Sequence, residues 1–219
     1  TPDLLITVDN GISSHAGVEQ AQAHGMQVII TDHHLTTKAT PKAEAVVNPN
    51  QLGCDFPSKA LAVVGVAFYR LANLSSQRAK QHKSTAKMSH YLDLVALGTY
   101  ADVASLDYNN RILVDNGLKR IQTGQCRAGI LAILDIAGRD PTQLQAQDLG
   151  FVIGPRINAA GRMDTMDIGI ECLLAEDMET AYPLARQLND LNLERRQVEA
   201  EMKQEALAAM QDLKLDHAH

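Results

Sequence analysis

Two short apolar runs, Leu4-Leu5-Ile6-Thr7-Val8 and Met26-Gln27-Val28-Ile29-Ile30, constrain this chain more than any other feature. Each has the length of a strand and each runs into an acidic residue, Asp9-Asn10-Gly11 after the first and Thr31-Asp32-His33-His34 after the second. An apolar run without alternation suits a parallel sheet covered on both faces, so residues 4–8 are expected to be buried. Ser13 and Ser14 offer N-caps for a helix over about 15–24, closed by Gly25. Asp9 and Asp32 are 23 residues apart, the span of one βαβ unit with parallel strands and a right-handed crossover. Two carboxylates delivered at neighbouring carboxyl ends occupy the place where open α/β sheets bind ligands.

Asp-Asn-Gly is also a hairpin signal, but a hairpin needs an alternating strand next, and residues 12–24 read as helix. Neighbours on an extended segment point to opposite sides, so His33 and His34 are not expected to bind one ion in the same way. If one ligates a metal, the other faces substrate, and Asp32 orients an imidazole from behind. A polar loop after a strand would explain the triplet without chemistry. Asp102, in Gly98-Thr99-Tyr100-Ala101-Asp102-Val103, is a third carboxylate after an apolar element; alone it would be a helix cap. Asp9, His33 and Asp102 together offer oxygen and nitrogen without sulfur, a set suited to Mn²⁺ or Mg²⁺ more than to structural zinc.

A third apolar segment, Ala45-Val46-Val47, ends at Asn48-Pro49-Asn50. A helix is expected from Ser58 to about Ala79, and residues 91–97 read as helix or strand. Strands then cease: 110–123, 127–137 and 166–175 look helical, and 178–212 is one long helical pattern with Pro183 near its start. Its stripe of Leu184, Leu188, Leu191, Val198 and Met202, broken by Arg195, is too narrow for a core and reads as an arm or connector. Between them, Gly154-Pro155-Arg156-Ile157-Asn158-Ala159-Ala160-Gly161-Arg162 puts proline where a first helical turn tolerates it. The amides there, with Arg156, Asn158 and Arg162, would form an anion site; solvated arginines are the plain alternative.

At 219 residues the chain suits one domain, or one with an appendage. Three dispersed cysteines favour reduced thiols over a disulfide frame. No apolar run reaches the roughly 18 residues of a membrane span, so a soluble, cytoplasmic protein without membrane contact is expected. A net charge of −6 does not advertise nucleic acid. Its distribution is uneven: residues 160–219 hold 13 acids and 6 bases, −7, leaving +1 for the rest. Residues 75–90 carry four Lys or Arg and no acid, a solvated loop or a phosphate contact. The chain starts without Met just before an apolar strand, so a fragment lacking a preceding strand is expected.

The blocks TVDNGISSHAGVEQA, VIITDHH, AVVNPN, FPSKALAVVGVAFY, DLVALGTYADVASLDYNNRILV and DLGFVIGPRINAAGRM, in this order, resemble the DHH phosphoesterase superfamily. Within it they are similar to the RecJ-type single-stranded-DNA-specific exonucleases. The resemblance implies an α/β fold: a parallel sheet of βα units (1–105), a helical part (106–177) and a long connecting helix with a tail (178–219). It implies a two-metal site for Mn²⁺ or Mg²⁺, with Asp9 bridging, His33 and Asp102 as ligands, and His34 facing the scissile phosphate. Arg156, Asn158 and Arg162 fall in the block that lies along DNA phosphates. The implied activity is 5′→3′ degradation of single-stranded DNA in repair and recombination, with a single-stranded-DNA-binding protein and a helicase as partners. Family members carry an Asp-x-Asp block on an earlier strand, absent from these 219 residues, so this chain alone is expected to be inactive or nearly so. The competing readings are another superfamily hydrolase, for oligonucleotides, cyclic dinucleotides or pyrophosphate, and a non-catalytic nucleic-acid-binding module.

Overall fold

The computed structural model describes residues 2–36, 38–163 and 165–216, with side chains through residue 210. The sheet is α/β as expected: β1 (Leu4–Val8), α1 (His15–Ala23) and β2 (Gln27–Thr31), then β3 (Ala45–Val47). All three strands are parallel, in the order β1-β2-β3. The pairing of Val8 with Thr31 sets Asp9 beside Asp32 at the carboxyl edge. Backbone bonds extend the ladder past both strands, Asp9 N to Thr31 O at 3.0 Å and Asp32 N to Val47 O at 3.1 Å.

Val28 and Ile30 of β2 alternate onto one face and pack with Val18 and Ala21 of α1. The expectation that residues 4–8 are buried fails: Leu4 is 43% and Val8 54% exposed. The reason is position. Among the described residues β1 has β2 alone beside it, which leaves the other side of this apolar run uncovered.

After β3 come α2 (Val63–Lys80), α3 (Leu92–Ala101) and α4 (Tyr108–Gln122). α2 starts later than Ser58, whose hydroxyl donates to Asp107 Oδ2 at 2.7 Å instead of capping a helix. Of residues 91–97, open between helix and strand, Tyr91 ends a short 3₁₀ turn (Met88–Tyr91) and the others begin α3. Leu61, Val66, Val95 and Leu113 form the core between these helices.

Contacts divide the described residues into two compact units, Thr1–Gln125 with Gln145–Gly150, and Cys126–Leu144 with Phe151–His219. The second holds α5 (Ala128–Ile136), α7 (Gly154–Met163), α8 (Asp167–Leu174) and α9 (Met178–Asp216); a single turn, α6 (Ala146–Asp148), belongs to the first. The first half of α9 is core, because Ala181, Ala185, Leu188 and Asn192 bury a continuous stripe against α5, α7 and α8. A search for large apolar residues overlooks that stripe, since two of its members are alanines and one is polar. Val198 and Met202, farther along, are exposed. No described helix is long and apolar enough to cross a membrane.

Candidate metal centre

Asp32 is the fixed point of the site. It follows β2 directly and its side chain is fully buried. Oδ2 accepts the Ile12 amide at 2.9 Å. Oδ1 accepts the amides of His33 (2.7 Å) and His34 (3.0 Å) and the Nδ1–H of His34 (2.7 Å). Burial by itself raises the pKa of this carboxyl, but the donors outweigh it and hold the group below its usual range. Asp32 therefore ties the turn after β1 to the end of β2 and selects the His34 tautomer that leaves Nε2 open.

The imidazole of His33 lies between two other carboxylates. Its Nε2 is 3.2 Å from Asp9 Oδ1, and its Nδ1 is 3.7 Å from Asp102 Oδ2, beyond hydrogen-bond length. Ligand atoms of Asp9, His33 and His34 all lie within 4.8 Å of one another. The expectation that the two histidines diverge is corrected here: their ring centroids are 4.7 Å apart. Strand alternation does not reach them, because β2 ends at Thr31 and Asp32 curls the next two residues around its carboxylate. Asn48 and Asn50, in a block to which residue-by-residue reading assigned no role, hold this turn from below, donating to the His34 and His33 carbonyls at 2.9 and 2.6 Å.

The hydrogen bond to Asp32 raises the pKa of His34 above its ordinary 6.5, against a smaller opposing effect of burial. A raised histidine pKa gives stability present below the unfolded value and lost as pH rises through the folded one. The lowered Asp32 pKa gives stability present above 3.8 and lost as pH falls through its folded value. In metal-free protein the pair should thus stabilise most between those limits. An NMR titration of His34 should show a midpoint above 6.5 that moves down in Asp32→Asn; an unchanged midpoint would contradict the assignment.

Backbone strain surrounds the same atoms. Asp9 has φ 68° and Val103, next to Asp102, has φ 53°, a conformation that β-branched residues rarely adopt. Gly11 has φ 111°, and a Cβ there would lie 2.7 Å from Thr7 Oγ1, which donates to Asn10 O. Gly11→Ala should cost about 1–3 kcal/mol, read as a lower midpoint in urea unfolding.

Arg156, Asn158 and Arg162 belong to the second unit. The expected open helix start at Pro155 is absent, because a π-helical turn, Leu149–Ile153, runs straight into α7. Proline lacks an amide hydrogen, and such wider turns accommodate the missing bond. The α7 amides are therefore not a free anion nest. Arg156 is half-buried; Nη1 donates to Val152 O and Nε to Asn189 Oδ1. Desolvation, then the fields of Arg196 and Arg139, lower its pKa, so cationic groups surround it. Asn158 is exposed, and Arg162 makes a long ion pair of 3.9 Å with Glu199. Phe151 on the π-helical turn is 81% exposed, an aromatic face that composition alone did not single out.

Residues 2–99 match the family model described as "DHH family, N-terminal domain". The chain is 52% identical to the single-stranded-DNA-specific exonuclease RecJ of Dickeya dadantii (strain 3937), over 96% of this chain. The chain belongs to the DHH family. It spans 38% of the length of that relative. The crystal structure of an exonuclease RecJ bound to manganese superposes with a TM-score of 0.81 at 35% identity, covering 94% of this DHH chain and 51% of the other. A second, RecJ from Thermus thermophilus in complex with Mn²⁺, gives 0.79 at 33% identity, covering 94% and 30%.

Proposed function

We propose that this DHH chain is the metal-binding part of an exonuclease that hydrolyses single-stranded DNA from the 5′ end with a pair of divalent cations, Mn²⁺ or Mg²⁺. The observation that carries the reading is the His33 imidazole bracketed by Asp9 and Asp102 at the carboxyl edge of a parallel sheet. The residues fit such an ion. Neighbouring ligands of an octahedral cation bound at about 2.0–2.1 Å sit about 3 Å apart, close to the 3.2 Å between Asp9 Oδ1 and His33 Nε2. The donors are oxygen and nitrogen, without sulfur. Relatives named for this activity, with manganese in their structures, support it.

Asp9, His33 and Asp102 would hold the metal. Bound there, cations of this kind polarise a phosphodiester, acidify the attacking water and stabilise the leaving oxygen. Asp32 keeps His34 Nδ1 occupied and favours the protonated ring, so His34 Nε2 faces the scissile phosphate and donates to it. Arg156, Asn158 and Arg162 contact strand phosphates; among the described residues the hydrogen-bond acceptors of Arg156 are a carbonyl and an amide, leaving its charge for an anion. Phe151 offers a ring on which a base stacks without sequence preference. Action in repair and recombination, a cytoplasmic setting, and a single-stranded-DNA-binding protein and a helicase as partners belong to the same proposal.

The test uses the intact protein with Mn²⁺ and compares end-labelled long single-stranded DNA, a dinucleotide, a cyclic dinucleotide and pyrophosphate. Preferential loss of nucleotides from the 5′ end of long strands is expected. Preference for any of the small substrates would replace this reading with that of another superfamily hydrolase, and no hydrolysis at all with that of a binding module.

A further inference from the structure

A cavity of about 320 Å³ opens between β3, the loop after it and α2. Phe56, Leu61, Val66 and Tyr69 make its walls apolar and partly aromatic, and no acidic residue lines it. Its one charged side chain is Arg70, whose Nη1 donates to Thr31 Oγ1 at 2.9 Å. Among the described residues Arg70 has no carboxylate partner. Gln51 spends Nε2 on Val46 O, which leaves its Oε1 as an acceptor at the wall. Small-molecule sites share this make-up: a volume of about 300–1,000 Å³, mostly apolar lining and few polar groups.

Arg70 and Asn73 also border a second groove of about 470 Å³, lined farther on by Gln77, Arg78 and Lys83. This is the acid-free basic stretch that the proposed reaction leaves unused. An apolar chamber therefore leads, through one guanidinium, into a strip of cations.

We propose that this cavity binds a nucleotide, separately from the hydrolytic centre, with the ring among Phe56, Val66 and Tyr69 and the phosphates on Arg70 toward Arg78 and Lys83. The site is wired to the catalytic turn. Asn48 and Pro49 line the cavity, and Asn48 holds both the His34 carbonyl and, through Oδ1, the amide of Asn50. Lys59 fastens the same loop by donating to the Pro49 and Cys54 carbonyls. An occupant braces the segment that supports His33 and His34.

Cys54 lines the cavity and reports occupancy. In the intact protein with EDTA present, so that hydrolysis is silent, ATP should slow alkylation of Cys54 by N-ethylmaleimide while Cys126 reacts as before. Adenosine or inorganic phosphate alone should protect far less. Arg70→Gln should raise the ATP concentration needed by about tenfold or more, the loss of one charge-assisted contact. Asn73→Trp, at an exposed position on the rim, should block entry without disturbing the fold. His33→Ala should leave protection intact, which separates this site from the metal centre. The proposal is overturned by equal protection with phosphate alone, by protection that survives both Arg70→Gln and Asn73→Trp, by better protection from a single-stranded oligonucleotide than from ATP, or by none at millimolar ATP.

Discussion

Asp32→Ala should destabilise the first unit by about 3–5 kcal/mol, the usual cost of emptying one side of a buried charged network. The substitution strands the Ile12, His33 and His34 amides, three donors that now converge on one buried carboxylate. It also frees the His34 ring. In a protein of this size the loss corresponds to a melting temperature lower by about 6–20 °C in a calorimetric scan. Asp32→Asn keeps the shape but turns an amide group toward the donors, so it should fall between wild type and Ala. A change of under about 1 kcal/mol in Asp32→Ala would show that the amides find other acceptors.

His33→Ala should abolish the response to metal. In the intact protein, Mn²⁺ bound as proposed and present at about a hundred times its dissociation constant would add about 2.7 kcal/mol to stability, and this increment should vanish. Hydrolysis of single-stranded DNA should drop by about three orders of magnitude, as expected when transition-state charge loses its main stabiliser. His34→Ala should behave differently. Its ring is anchored to Asp32, so most of the Mn²⁺ stabilisation should persist while turnover falls by about 10²–10⁴. If His33→Ala retains the Mn²⁺ shift and activity, the assignment of Asp9, His33 and Asp102 as ligands fails. If His34→Ala loses both, His34 is a ligand too, which its closeness to Asp9 and His33 permits.

Much of the site was legible because it is local. Two apolar runs with one helix between them define parallel neighbours, and the residues after each run must then share an edge, which places Asp9 beside Asp32. Asp102 was legible only as a polar residue after an apolar element; its approach to His33 comes from the C-terminal end of α3 reaching the turn after β2, a packing choice its own sequence does not encode. Asn48 and Asn50 looked like turn residues. Their role is visible only once β3 pairs with β2 and brings them under the two histidine carbonyls.

By itself the sequence determined the βαβ order, the helical second half, and the carboxylates and imidazoles at the strand ends, because side-chain periodicity and chain length dictate those. The tertiary structure alone decided that His33 and His34 sit side by side and that alanines bury the start of α9. It also decided that Pro155 lies within a continuing helix. The physical reason is the same in each case: periodicity says which face a residue presents, while burial, charge and ring position depend on which distant element covers that face.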